Sequence, residues 1–146
     1  MPVLIRIILL VLLTSSYAQA FCFKMAGEKY GISPVLLEAI AQVESNLNPK
    51  AVNHNKNGSY DFGLMQINTC WQKTLGDDYW NELADPCYNV IVGAWILRQC
   101  FDRYGYSWDS VACYNIGKPV NRTTGIKREK AMRYVKKVQQ AIKLTE

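Results

Sequence analysis

Ser33-Pro34-Val35-Leu36-Leu37-Glu38-Ala39-Ile40-Ala41-Gln42-Val43-Glu44-Ser45 is the stretch on which the reading of this chain turns. Serine followed by proline reads as a helix start. The hydroxyl suits the N-cap, and the ring suits the first turn, where no backbone N–H is needed. Leu36, Leu37 and Ile40 then recur at helical spacing and make one face apolar. Leu37 stands seven positions before Glu44 and Ile40 four, so the carboxyl continues that stripe at the last turn, while Glu38 and Gln42 fall on the wet side. An acid in this place is disfavoured as an anion by lost hydration and by the negative end of the helix dipole. It is a candidate to hold its proton near neutral pH; pairing with a buried arginine or capping a loop is the plainer alternative.

Working outward, the same device recurs. Asp85-Pro86 opens a predicted helix from Cys87 to Tyr104, apolar at Val90, Ile91, Ala94, Leu97 and Phe101 and stopped by Gly105. Ser107 can cap a short helix around Ser110 to Ile116, stopped by Gly117. A last helix near Lys127 to Lys143 buries Ala131, Val135, Val138 and Ile142, and a first short one covers Lys24 to Tyr30. Between Leu47 and Thr69 helical periodicity is lost, and Asn57-Gly58 marks a tight turn. The expected fold class is mainly α (α+β), a single globular helical domain with a small irregular or β element.

With 146 residues the chain has room for one domain, and its 20% charged content is ordinary for a globular protein. Residues 1–20 read as an export signal: a basic start through Arg6, an apolar run from Ile7 to Leu13, and the cleavage site Ala18-Gln19-Ala20. Residues 21–146 would form the domain, with no integral membrane segment after signal cleavage. Export makes disulfides expected among the five cysteines. Cys22–Cys87 is the first choice; Cys70, Cys100 and Cys113 stay unassigned, buried unpaired thiols being the plainer reading of the last two, which sit on apolar helix faces. His54 is the only histidine and C-x-x-C pairs are absent, so neither a metal site nor another cofactor is expected. From Lys118 onward nine residues are basic and two acidic, against seven and ten in residues 21–117. Such a tail suits an anionic polymer, a membrane surface or a protein partner, or is simply a solvated helix face.

Most enzymes that cut glycosidic bonds use two carboxyls, one of them protonated. Asp61, in Ser59-Tyr60-Asp61-Phe62-Gly63, is the best second candidate. It follows Glu44 by seventeen positions, the gap that separates the two carboxyls of lysozyme. It can equally be a turn residue bonded to its own backbone.

Four stretches in order resemble the lytic transglycosylase (SLT, lysozyme-like) family: Glu44-Ser45-Asn46-Leu47-Asn48-Pro49-Lys50-Ala51-Val52, Gly63-Leu64-Met65-Gln66-Ile67-Asn68, Val90 to Leu97, and Tyr114-Asn115-Ile116-Gly117. The resemblance implies that Glu44 protonates the oxygen between N-acetylmuramic acid and N-acetylglucosamine and then acts as base. The sugar's own 6-hydroxyl closes a 1,6-anhydro ring. It also implies a glycan groove formed by Ser45, Met65, Gln66, Asn68, Tyr114 and Asn115; Asp61, absent from many members of the family, is a departure that points to a more lysozyme-like electrostatic arrangement. Ile116, Cys113 and Asn53 depart from the family's usual residues and bear on groove contacts. The compact form, the export signal and Asp85-Pro86-Cys87 resemble specialised members that accompany type III secretion, conjugation or pilus machines. The implied setting is the periplasm, with peptidoglycan strands as substrate, a machine component as partner, and no nucleic acid. Rival readings are a muramidase-type hydrolase using Glu44 and Asp61, a non-catalytic glycan-binding or scaffolding subunit, and a small cationic toxin.

Overall fold

The computed structural model describes residues 22–144, of which residues 22–30 form helix α1. The expected export signal, residues 1–20, lies outside the described residues.

Helix α2 spans Pro34–Ser45, with Leu37 and Ile40 completely buried. Each aliphatic chain so removed from water contributes about 2 kcal/mol. Pro34 alone opens the helix, because the Ser33 side chain makes no capping bond. Gln42 is exposed as expected, whereas Glu38 is half-buried.

A small antiparallel sheet follows, built from β1 (Val52–His54), β2 (Tyr60–Phe62) and β3 (Ile67–Asn68) in the order β1-β2-β3. Its register sets Asn53 and Asn68 opposite Asp61 on either side. Asn57-Gly58 turns the chain between β1 and β2, with Gly58 at φ +84° and the Asn55 N–H bonded to the Ser59 carbonyl at 2.8 Å. Two short helices, α3 (Gln72–Leu75) and α4 (Asp77–Asn81), carry the chain to α5, Pro86–Tyr104. There the Asp85 carboxylate accepts from the Tyr88 N–H at 2.7 Å, a side-chain cap that adds to the proline signal. Helix α6 (Trp108–Ile116) is capped by Ser107 and ends on Gly117 at φ +73°. Helix α7 runs over Gly125–Lys143 and turns Ala131, Tyr134, Val135, Val138 and Ala141 inward.

Helix α7 packs against both α2 and α6, and α6 packs against α5, so these four helices enclose the core and leave the sheet on one side. Two disulfides staple the helices. Cys22–Cys87 joins α1 to the first turn of α5. Cys100–Cys113 joins α5 to α6, which assigns two cysteines the sequence left open and overturns the plainer reading of them as unpaired thiols. Both cysteines are buried as the periodicity requires, but the two apolar faces meet each other and bring the sulfurs together. Cys70 is free and exposed. No helix among the described residues is long and apolar enough to cross a membrane.

Candidate active site

Glu44 sits in the last turn of α2, half-buried, where the chain leaves the helix through two consecutive left-handed residues, Asn46 (φ +54°) and Leu47 (φ +58°). Asparagine tolerates that conformation; leucine does so at a cost of roughly 1–2 kcal/mol. The reversal is held by the Asn46 N–H on the Gln42 carbonyl at 3.0 Å and by the Ser45 hydroxyl, which lies 2.8 Å from the Leu64 carbonyl. The acid thus stands at the lip of a cleft of about 740 Å3, between the sheet on one side and α5 and α6 on the other.

Across the cleft, Asp61 projects from β2 and is held on both oxygens. Asn68 Nδ2 donates to Oδ1 at 2.6 Å and Asn55 Nδ2 to Oδ2 at 3.0 Å. An amide donor on each oxygen fixes the orientation of the carboxyl group. Tyr60 and Phe62, its neighbours in the strand, are half-buried, and Asp61 itself keeps contact with solvent.

Glu44 has the opposite surroundings. Burial pushes its carboxyl up from the ordinary 4.5 to about 7. The Asp61 charge adds to this, while hydrogen bonds from Tyr134 and Asn115 and the Lys130 ammonium oppose it without cancelling it. Tyr134 Oη donates to Glu44 Oε1 at 2.7 Å. Burial, then the charge of Glu44, raises the Tyr134 phenol well above its usual range, so it remains a donor. Two carboxyls on one cleft thus have different environments: Glu44 is dry and gripped by a phenol, whereas Asp61 is held by two side-chain amides at the rim.

Of the groove residues expected from the sequence, Gln66, Asn68, Tyr114 and Asn115 line the cleft together with Glu44 and Asp61. Ser45 and Met65 do not. Ser45 fastens the end of α2 to the 63–66 turn, and Met65 is fully buried against α5, where only glycine at position 93 leaves room for it. Gln66 adopts φ +50°, with Nε2 bonded to the Gly63 and Ala51 carbonyls and Oε1 accepting from Asn53. Both of its N–H donors are thereby used and one carbonyl lone pair stays open. Tyr114 donates to the Met65 carbonyl at 2.6 Å and so ties α6 to the same turn.

Three participants were not anticipated. Tyr134 and Lys130 reach the acid from α7, and Asn89, buried in α5, pins the 62–65 turn through Met65 N (2.8 Å) and the Phe62 carbonyl (3.1 Å). Tyr134 was legible in principle, three positions after Ala131 and four before Val138, as a polar tip on the apolar stripe. Among the described residues no group of three His, Cys, Asp or Glu side chains is placed to hold a metal ion.

This geometry can be set beside known proteins. The chain is 44% identical over 135 residues to the invasion protein IagB of Salmonella typhimurium, covering 90% of this chain and 81% of that one. It is 37% identical over 123 residues to protein IpgF of Shigella flexneri, covering 82% and 78%. In three dimensions it superimposes on an inactive mutant of the lytic transglycosylase Slt from Pseudomonas aeruginosa with a TM-score of 0.65 at 20% identity. That match covers 82% of this chain and 22% of the larger enzyme, and it speaks for the fold. The description "Transglycosylase SLT domain" fits residues 21–136. The chain belongs to the transglycosylase SLT domain family.

Proposed function

We propose that this protein is a peptidoglycan lytic transglycosylase, cutting the β-1,4 bond between N-acetylmuramic acid and N-acetylglucosamine. One observation carries the reading: a glutamic acid held half-dry at the lip of a polar cleft, with its proton retained up to about pH 7. Glu44 gives that proton to the bridging oxygen as the bond to the muramic acid anomeric carbon breaks, and the N-acetylglucosamine side leaves as an alcohol. The carboxylate then takes the proton of the muramic acid 6-hydroxyl, whose oxygen closes the 1,6-anhydro ring. Glu44 ends as it began, and no water is consumed.

Asp61, on the other side of the cleft, stabilises positive charge developing on the sugar ring. Gln66, Asn68, Tyr114 and Asn115 contact the strand directly; Ser45 and Met65 act by holding the wall in place. Asp61 also supports a second reading, a hydrolase in which a water replaces the 6-hydroxyl. Mass spectrometry of digested sacculi separates the two, because the anhydro product is one water lighter. The Glu44→Gln protein run beside the native one should yield no anhydro ends; equal yields from both would remove Glu44 from the mechanism.

Residues 1–20 would direct export, with cleavage after about Ala20, and the protein would work in the periplasm. The two disulfides support an oxidising compartment. Similarity to an invasion protein supports a role in opening the wall locally for a secretion, conjugation or pilus apparatus.

A further inference from the structure

Helix α7 has a second side that the cleft does not use. A groove of about 740 Å3 runs between it, the start of α6 and the turn at Val120. Its floor is apolar: Val120 and Val135 are buried, and Met132 stands 53% exposed above them. Its rim holds the cations Arg128, Arg133 and Lys136 and the acids Asp109 and Glu129. The acids are accounted for. Glu129 lies 3.7 Å from Arg133, and Asp109 sits in the first turn of α6, where the positive end of the helix balances it. Arg128 and Lys136 take part in no ion pair among the described residues. The helix as a whole carries seven basic residues and one acidic one over 125–143.

We propose that this groove docks an acidic, amphipathic helical segment of a protein partner. The apolar stripe of such a helix fits over Val120, Met132 and Val135 while its carboxylates meet Arg128 and Lys136. A hydrophobic floor framed by unspent positive charge is what that ligand needs on both counts. An anionic membrane would press against the outward cationic surface and has no use for a concave apolar floor. A bare polyanion would satisfy the arginine and lysine and leave Met132 in water. Arg133 and Val135 in the groove flank Tyr134, whose hydroxyl holds Glu44, so a docked helix bears on the turn that positions the acid. The proposal does not depend on the reaction assigned to the cleft.

The test uses the purified full chain and a labelled synthetic peptide of about 18 residues, with leucines at i, i+3, i+4 and i+7 and glutamates elsewhere. Fluorescence anisotropy should give saturable binding that weakens about tenfold with Met132→Glu and, separately, with the double replacement Arg128→Glu/Lys136→Glu. A peptide of the same composition in scrambled order, and phosphatidylglycerol vesicles, should each bind about tenfold less well than the ordered peptide. All three side chains are exposed, and circular dichroism melting checks that both variants fold. Equal binding of ordered and scrambled peptides, indifference to Met132→Glu, preference for vesicles, or no saturable binding would each overturn the proposal.

Discussion

Replacing Glu44 with glutamine measures what the fold gives up to keep this carboxyl dry. Glutamine has nearly the same shape and can still accept from Tyr134 Oη, which lies 2.7 Å from Glu44 Oε1, but it never ionises. The native carboxyl titrates at about 7 and the unfolded one near its ordinary 4.5, so between these values the folded protein binds a proton that the unfolded chain has released. Stability must therefore fall as pH rises through that interval and stay low above it; below it both states are protonated and there is no penalty. At about 1.36 kcal/mol per pH unit, the interval sets a ceiling of about 3.4 kcal/mol. Glu44 is only half-buried, and residual hydration brings the expected effect nearer ~2 kcal/mol.

In a domain of this size each kcal/mol moves the melting midpoint by about 4 °C. The variant should melt about 8 °C higher than the native protein at about pH 8 and within about 2 °C of it at about pH 4. Thermal unfolding followed by circular dichroism reads both. An offset of equal size at the two pH values would mean that the glutamine acts through packing and that the carboxyl is not held protonated by its surroundings.

Further outcomes follow from the same geometry. A general acid is lost as it ionises, so glycan cleavage should decline as pH rises through about 7. Asp61→Asn removes a charge that pushes Glu44 up and should move this alkaline limb to lower pH; a limb that stays put would uncouple the two carboxyls. Tyr134→Phe removes a bond that favours ionised Glu44 and should move the limb to higher pH, with about 1 kcal/mol of stability lost in urea unfolding. Gly93→Ala would place a Cβ 2.7 Å from Met65 Cβ and Cγ, and should cost about 1–3 kcal/mol by the same assay. Replacing Cys100 and Cys113 together by alanine opens a loop with a sequence separation of 13 and should cost about 3 kcal/mol.

The helices were legible because their ends are written locally. Ser33-Pro34, Asp85-Pro86, Gly105 and Gly117 act within a few residues of themselves, and α2, α5 and α6 begin or end beside them. The sheet was only faintly legible, since strands of two or three residues carry too few side chains for alternation to register. Helices α3 and α4, at four and five residues, escape periodicity for the same reason. Glu44 was found because its position on the stripe of Leu37 and Ile40 is a property of one helix. The Cys100–Cys113 bridge and the bond from Tyr134 to Glu44 are properties of two helices meeting, and no single-helix pattern contains them. Met65 read as a groove residue only through the family resemblance; its burial depends on the missing side chain of Gly93, twenty-eight positions away.

The tyrosine that grips the acid lies ninety positions downstream of it, ten residues before the end of the described chain. A ribosome or an export channel that releases this protein from its N-terminus delivers Glu44 long before its clasp. Until α7 has emerged and docked, the acid has neither Tyr134 nor Lys130 beside it. A wall-cutting protein built in this order gains the clasp on its acid only after the sheet, α5 and α6 have been made. Any tag, nick or truncation that frays the final helix should silence it without touching the lip of the cleft.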